Sequence, residues 1–209
     1  LQAGFKDSVY LNGTNEVTNT NTDADNYIDK IEWGLQTSES SGQSGYSLVD
    51  SNDYTTSTGT LINTNGLFKV ADFTHQNWIL SSNSSILEKT TLTMKMDITI
   101  NGKTVPVEFE ALLNHTETPN SGDPIASRDI ITLVDTDIIV NVLGQDYIFA
   151  IEGFKDSNGN YVKTIYTDEA ANNTYGIFAS VKPVEALPVV EGNVCGEAGA
   201  DGLDKVEWG

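Results

Sequence analysis

The densest run of oxygen donors in this 209-residue chain lies between Asn114 and Asp129. Glu117, Asp123 and Asp129 supply carboxylates there and Asn120 an amide, all within sixteen residues. Calcium is bound by about six to eight such oxygens, so this loop could fill most of a coordination shell. An ordinary polar turn started by Pro119-Asn120-Ser121-Gly122 is the plainer alternative. Asp23 and Asp25, with Asp29 behind them, form a second acidic cluster ahead of the first short strand, readable as a junction calcium site or as a solvated linker. Asp156-Ser157-Asn158-Gly159-Asn160 resembles half of an EF-hand loop. Its glycine comes two places early and Thr167 stands where the bidentate glutamate belongs, so a hairpin turn is the better reading.

Other chemistry is poorly provided for. There is no Gly-x-Ser-x-Gly elbow, no His-Glu-x-x-His and no glycine loop fit to cradle phosphate. With 30 Asp and Glu residues a glycosidase-like pair could be drawn almost anywhere, so spacing identifies none. Cys195, the single cysteine, sits in a glycine-rich stretch far from any base and cannot form an internal disulfide. The residues thus offer little for catalysis, and the fold is expected to be held together by core packing or by metal.

The charge agrees. Lys and Arg number 11, which leaves a net −19, a field that repels phosphate and anionic membrane surfaces and attracts cations. Nucleic acid and membrane insertion are therefore not expected: no apolar run approaches the roughly 18 residues of a spanning helix. Nothing at the start reads as a signal peptide, and the chain reads as a soluble segment of something longer.

These donors need a scaffold, and the pattern is that of strands. Ser, Thr and Asn total 58 residues, types that favour strands and turns over helix interiors. Leu92, Met94, Met96, Ile98 and Ile100 alternate with polar residues, Asn101-Gly102 follows as a type I′ turn, and Val105, Val107, Phe109, Ala111 and Leu113 alternate on the return. A second pair, Asp137–Leu143 and Asp146–Phe154, is apolar on both faces and is expected centrally, in a sheet covered on both sides. Shorter strands are expected at Lys30–Trp33, Tyr46–Val49, Leu67–Phe73, Asp129–Leu133, Tyr161–Tyr166 and Tyr175–Val181, with one helical turn over Asp168–Asn173. Together these predict an all-β, two-layer antiparallel β-sandwich of jelly-roll type over residues 27–183. Residues 1–26 read as an acidic linker or edge, and 184–209 as a linker.

Asp29-Lys30-Ile31-Glu32-Trp33-Gly34 recurs as Asp204-Lys205-Val206-Glu207-Trp208-Gly209. The repeat reads either as a favoured strand start used twice or as a tandem array in which the next unit begins near the end of the chain.

Several landmarks, in order, resemble the choice-of-anchor K domain of bacterial surface proteins. They are Glu32-Trp33-Gly34, Phe73-Thr74-His75-Gln76-Asn77-Trp78-Ile79, Thr116-Glu117-Thr118-Pro119-Asn120 with Asp129-Ile130-Ile131-Thr132, Ile151-Glu152-Gly153-Phe154, and Tyr166-Thr167-Asp168-Glu169. Trp78 is a departure, since the family usually has proline there. The pattern is also similar to the calcium-dependent peptide-binding domains of RTX adhesins. The resemblance implies a secreted or surface-displayed binding module whose calcium takes the C-terminal carboxylate of a peptide or protein on a host or neighbouring cell. A glycan ligand, or a passive spacer role, is the alternative. His75, Asn77, His115 and Thr118 in the two central motifs become ligand-binding candidates, with Trp78 as a platform and the Tyr166–Glu169 stretch closing a loop over the site. The two histidines have no metal-ligand spacing to each other, and each also reads as a hydrogen-bonding structural residue.

Overall fold

A computed structural model describes residues 2–13, 16–21, 27–35, 42–50, 67–100, 102–135 and 137–184. Among them are thirteen strands and no helix: β1 (Gln2–Leu11), β2 (Thr18–Thr20), β3 (Lys30–Trp33), β4 (Ser44–Asp50), β5 (Leu67–Asn77), β6 (Ile86–Ile100), β7 (Lys103–Thr116), β8 (Asp129–Asp135), β9 (Ile138–Val142), β10 (Gln145–Lys155), β11 (Tyr161–Val162), β12 (Thr164–Thr167) and β13 (Ala171–Pro183). The order β1-β6-β7-β8-β12 makes a five-stranded sheet, and β11-β10-β13-β5-β4-β3-β2, with β9 beside β10, makes an eight-stranded one. Every pairing is antiparallel, and the two sheets stack as the expected two-layer β-sandwich. Among the described residues no helix is long and apolar enough to cross a membrane.

The alternation explains the core. In β6 and β7 Leu92, Met94, Ile98, Val107, Phe109, Ala111 and Leu113 are buried while Lys95, Asp97 and Glu108 face out. The hairpin register runs from Lys89↔Asn114 to Ile100↔Lys103 around Gly102, whose φ is +78°. Pro106 lies beyond the stretch of β7 that β8 pairs, so its missing N–H is not needed there. Phe73, Phe149, Phe154 and Trp33 close the core from the larger sheet.

Three expectations are corrected. The β9–β10 pair is not central: among the described residues β9 has only β10 beside it, and Ile139 is 66% exposed. An apolar residue on both faces signals burial only when a second layer reaches both, and among the described residues none covers the outer one. Asp168–Asn173 is no helical turn, because the chain turns at residues 169–170 and then pairs along β5 from Ala171↔Asn77. The sandwich also begins before residue 27: β1 is a strand of the smaller sheet with Ala3 and Phe5 buried, and β2 pairs β3. Asp23, Asp25, Asn101, Cys195 and the terminal repeat lie outside the described residues.

One device of the topology positions the site. The expected single strand Tyr161–Tyr166 is split, and the chain changes sheets at Lys163. Val162 pairs Phe154 in the larger sheet, whereas Thr164–Thr167 pair Thr132–Asp129 in the smaller one. The Lys163 carbonyl takes the N–H of Leu133 and its ammonium donates to the carbonyl of Ile151, tying the crossing to both layers. Gly153 makes room for it: a Cβ there would stand 2.4 Å from the Val162 carbonyl oxygen.

Candidate functional site

At one end of the sandwich the inward-facing stripes stop being apolar. Along β5 the buried sequence is Phe73, His75, Asn77; along β7 it is Ala111, Leu113, His115; β8 opens with buried Asp129 and β12 closes with buried Thr167. Strand alternation thus places polar groups exactly in phase with the core, where each must find a partner or be left costly and unpaired.

The histidines come from opposite sheets and meet edge to face, 5.3 Å between centroids. Trp33 stacks over His75 at 6.0 Å and meets His115 edgewise at 5.4 Å, and Tyr46 contacts both rings. The Tyr46 hydroxyl lies 2.6 Å from His115 Nδ1, and Thr167 Oγ1 lies 2.8 Å from His75 Nδ1. Asn77 Nδ2 donates to the Thr167 carbonyl at 3.1 Å. On its other side His115 Nε2 is 3.3 Å from Glu117 Oε2 and 3.9 Å from Asp129 Oδ2.

Asp129 joins two clusters. One nitrogen each of His75 and His115 and one oxygen of Asp129 lie within 4.8 Å of one another, and so do oxygens of Glu117, Asp129 and Glu169. The Thr118 N–H donates to Asp129 Oδ1 at 2.8 Å, which leaves Oδ2 free to face the cluster. Asp129 Oδ2, both Glu169 oxygens, His75 Nε2 and Asn77 Oδ1 are buried and have no hydrogen-bond partner among the described residues. So many orphaned polar atoms in one place point to a ligand.

Titration follows burial. Desolvation lifts the Glu117 carboxyl to about 7. Desolvation and then the charge of Glu117 lift Asp129 to about 7, and the same two causes lift Glu169 to about 7. His115 falls to about 4 by desolvation, against the pull of Asp129, and His75 is lowered well below its ordinary value by burial and by His115. Tyr46 is held well above its usual range by burial and by the charges of Asp129 and Glu117. The site therefore lacks positive charge. Arg128, next in the chain to Asp129, turns instead to Asp168, with Nε 2.6 Å from Oδ1.

Of the residues singled out by sequence, Glu117, Asp129, His75, Asn77 and His115 converge here, and Thr118 holds Asp129 in place. Asn120 and Asp123 are exposed; Asp123 belongs to neither cluster and caps its own turn, accepting the N–H groups of Ile125 at 2.9 Å and Ala126 at 3.4 Å. Trp78 is half-buried, its backbone bonded both ways to Ser44 Oγ. Thr167 entered the sequence reading within a landmark and as a mismatched EF-hand position, Glu169 only within a landmark, and Tyr46 only as the first residue of an expected strand. Tyr46 is in phase with buried Leu48, so alternation along β4 could have placed it inside, though not beside a histidine.

Fold and site together define a two-layer β-sandwich with a buried histidine–carboxylate cluster at one end. In comparisons with known proteins, no family model matches the chain and no curated protein matches it.

Proposed function

We propose that the protein is a calcium-dependent ligand-binding domain of a large bacterial surface adhesin, recognising the free C-terminus of a peptide or protein on another cell. The observation that carries this reading is the carboxylate trio of Glu117, Asp129 and Glu169: one oxygen of each lies within 4.8 Å of the others, and Asp129 Oδ2 and both Glu169 oxygens are buried and unpartnered. Calcium bound there would supply the missing positive charge and a Lewis-acidic point for a ligand carboxylate. Thr118 fixes Asp129 through Oδ1. Glu117 follows directly on β7, and Glu169 comes two residues after the end of β12. Trp33 and Tyr46 floor the site with apolar surface, so charges within it are felt more strongly than in water. The net charge of −19 and the ordered choice-of-anchor K landmarks also support the reading.

Calorimetric titration with short peptides tests it. Peptides with free C-termini should bind in calcium, lose binding on chelation and lose it on amidation. Equal binding in calcium and in chelator, or by amidated peptides, overturns the mechanism. Binding of oligosaccharides alone would move the reading to a sugar-binding module.

A further inference from the structure

We infer that the inner half of this cluster is a separate metal site, in which His75, His115 and Asp129 take one first-row transition-metal ion of the zinc, cobalt or nickel type. The inference shares Asp129 with the carboxylate trio but does not rest on the ligand reading above.

Proton accounting at His75 comes first. Thr167 Oγ1 has a single hydrogen, and it lies 3.3 Å from the Asp129 carbonyl, which can only accept. In the tautomer in which that hydrogen goes to the carbonyl, Thr167 Oγ1 accepts at its 2.8 Å contact with His75 Nδ1 and the ring proton sits on Nδ1, the form that metal binding requires. Nε2 is left as a bare lone pair, on a residue that is fully buried and with no partner for that atom. A core position that needed only bulk would be served better by an apolar side chain.

The arrangement is instead that of a metal ligand. Histidines that bind metals donate their second ring nitrogen to a fixed acceptor, which sets the tautomer and the ring plane. His75 does so to Thr167, itself anchored on the backbone of Asp129, a third member of the set. His115 Nδ1 meets the Tyr46 hydroxyl, which can donate or accept; with the hydroxyl accepting, His115 would exchange the 3.3 Å contact of Nε2 with Glu117 Oε2 for the metal. Asp129 contributes Oδ2, which has no partner. Tetrahedral metal–ligand bonds of about 2.0–2.2 Å put neighbouring ligand atoms about 3.4 Å apart, so metal binding must draw the set together from within 4.8 Å. Two imidazoles and a carboxylate suit zinc and its first-row neighbours, whereas calcium takes oxygen alone. Trp33, stacked on His75, and Tyr46, edge-on to it, screen this inner set from water.

The test uses the full chain, stripped of metal and saturated with calcium. Zinc is titrated calorimetrically, and cobalt is followed by its visible absorption. One ion per chain should bind, and the Nε2 signals of the only two histidines should both shift in nitrogen-15 spectra. His75→Phe keeps a ring against Trp33 but removes the nitrogen. It should weaken zinc by more than the ~10–100-fold that loss of a ligand-supporting group costs, with calcium binding unchanged. Glu169→Gln should weaken calcium and spare zinc. Absence of zinc binding, unshifted histidine signals in the wild-type protein, or full zinc affinity in folded His75→Phe would each overturn the inference. Calcium-dependent peptide binding, measured separately, succeeds or fails without reference to these outcomes.

Discussion

His75 on β5 and His115 on β7 come from different sheets and meet edge to face, 5.3 Å between ring centroids, at the point where both inward stripes turn polar. Two imidazoles in an apolar layer are destabilising unless their nitrogens are used. Each has one nitrogen tied to a hydroxyl, Thr167 for His75 and Tyr46 for His115, and the other turned to the cluster or left without a partner. The predictions below follow from that layout.

Stability should depend on pH in a way that a divalent ion removes. Glu117, Asp129 and Glu169 are raised from ordinary values of 4.5, 3.8 and 4.5 to about 7, so their neutral forms favour the fold. Their contribution is complete below the unfolded values and is lost as pH rises through about 7. The histidines act oppositely: His115, lowered from 6.5 to about 4, contributes above 6.5 and loses that part as pH falls. Between pH 4.5 and 6.5 the two effects offset in part, and above 6.5 only the carboxyl loss remains. Melting in chelator should fall between pH 6.5 and 8, about 2–4 °C per kcal/mol lost. Calcium should flatten the curve; an unchanged slope in calcium would refute this.

Glu169→Gln removes a carboxylate whose two oxygens are buried and unpaired. In chelator at pH 8 the variant should melt above the wild type, and in calcium the order should reverse. Paired thermal scans with and without calcium read this directly.

Tyr46→Phe deletes the 2.6 Å bond to His115 Nδ1 and keeps the ring against Trp33 and Phe73. Leaving that nitrogen buried and unpaired should cost about 1–3 kcal/mol in urea unfolding. Zinc affinity should fall about 10–100-fold, because the tautomer is no longer held. Unaltered unfolding would show that the hydroxyl supports nothing.

Gly153→Ala should be severe. The residue has φ +136°, and a Cβ would be 2.4 Å from a backbone oxygen of Val162, which cannot swing aside. A loss of at least ~2 kcal/mol is expected. Because the clash falls on β11 just before the change of sheets, calcium affinity should fall with it. A circular-dichroism melt within a degree of wild type would contradict the account.

Leu143→Asn should stabilise. Leu143 and Gly144 join β9 to β10 with φ of +54° and +85°, a geometry that Asn-Gly adopts readily and leucine does not. Leu143 is also 59% exposed, so little packing is lost. A gain of about 1 kcal/mol is expected in denaturant unfolding.

Local pattern determined much of this protein. Period-two alternation in residues 92–113 with an Asn-Gly step specifies a half-buried hairpin, and the Ser, Thr and Asn content excludes a helical fold, because both effects act within a few residues of chain. The same local reading singled out Glu117 and Asp129, which the structure brings together with Glu169. Only the tertiary structure decided which donors meet. It turned Asp123 outward to cap a turn, brought Glu169 inward through the crossing at Lys163, and joined His75 to His115 across two sheets and forty residues of separation. Sheet stacking is non-local, so spacing along the chain carries no trace of it. An unpaired lone pair such as His75 Nε2 becomes visible only when every neighbouring donor has been placed.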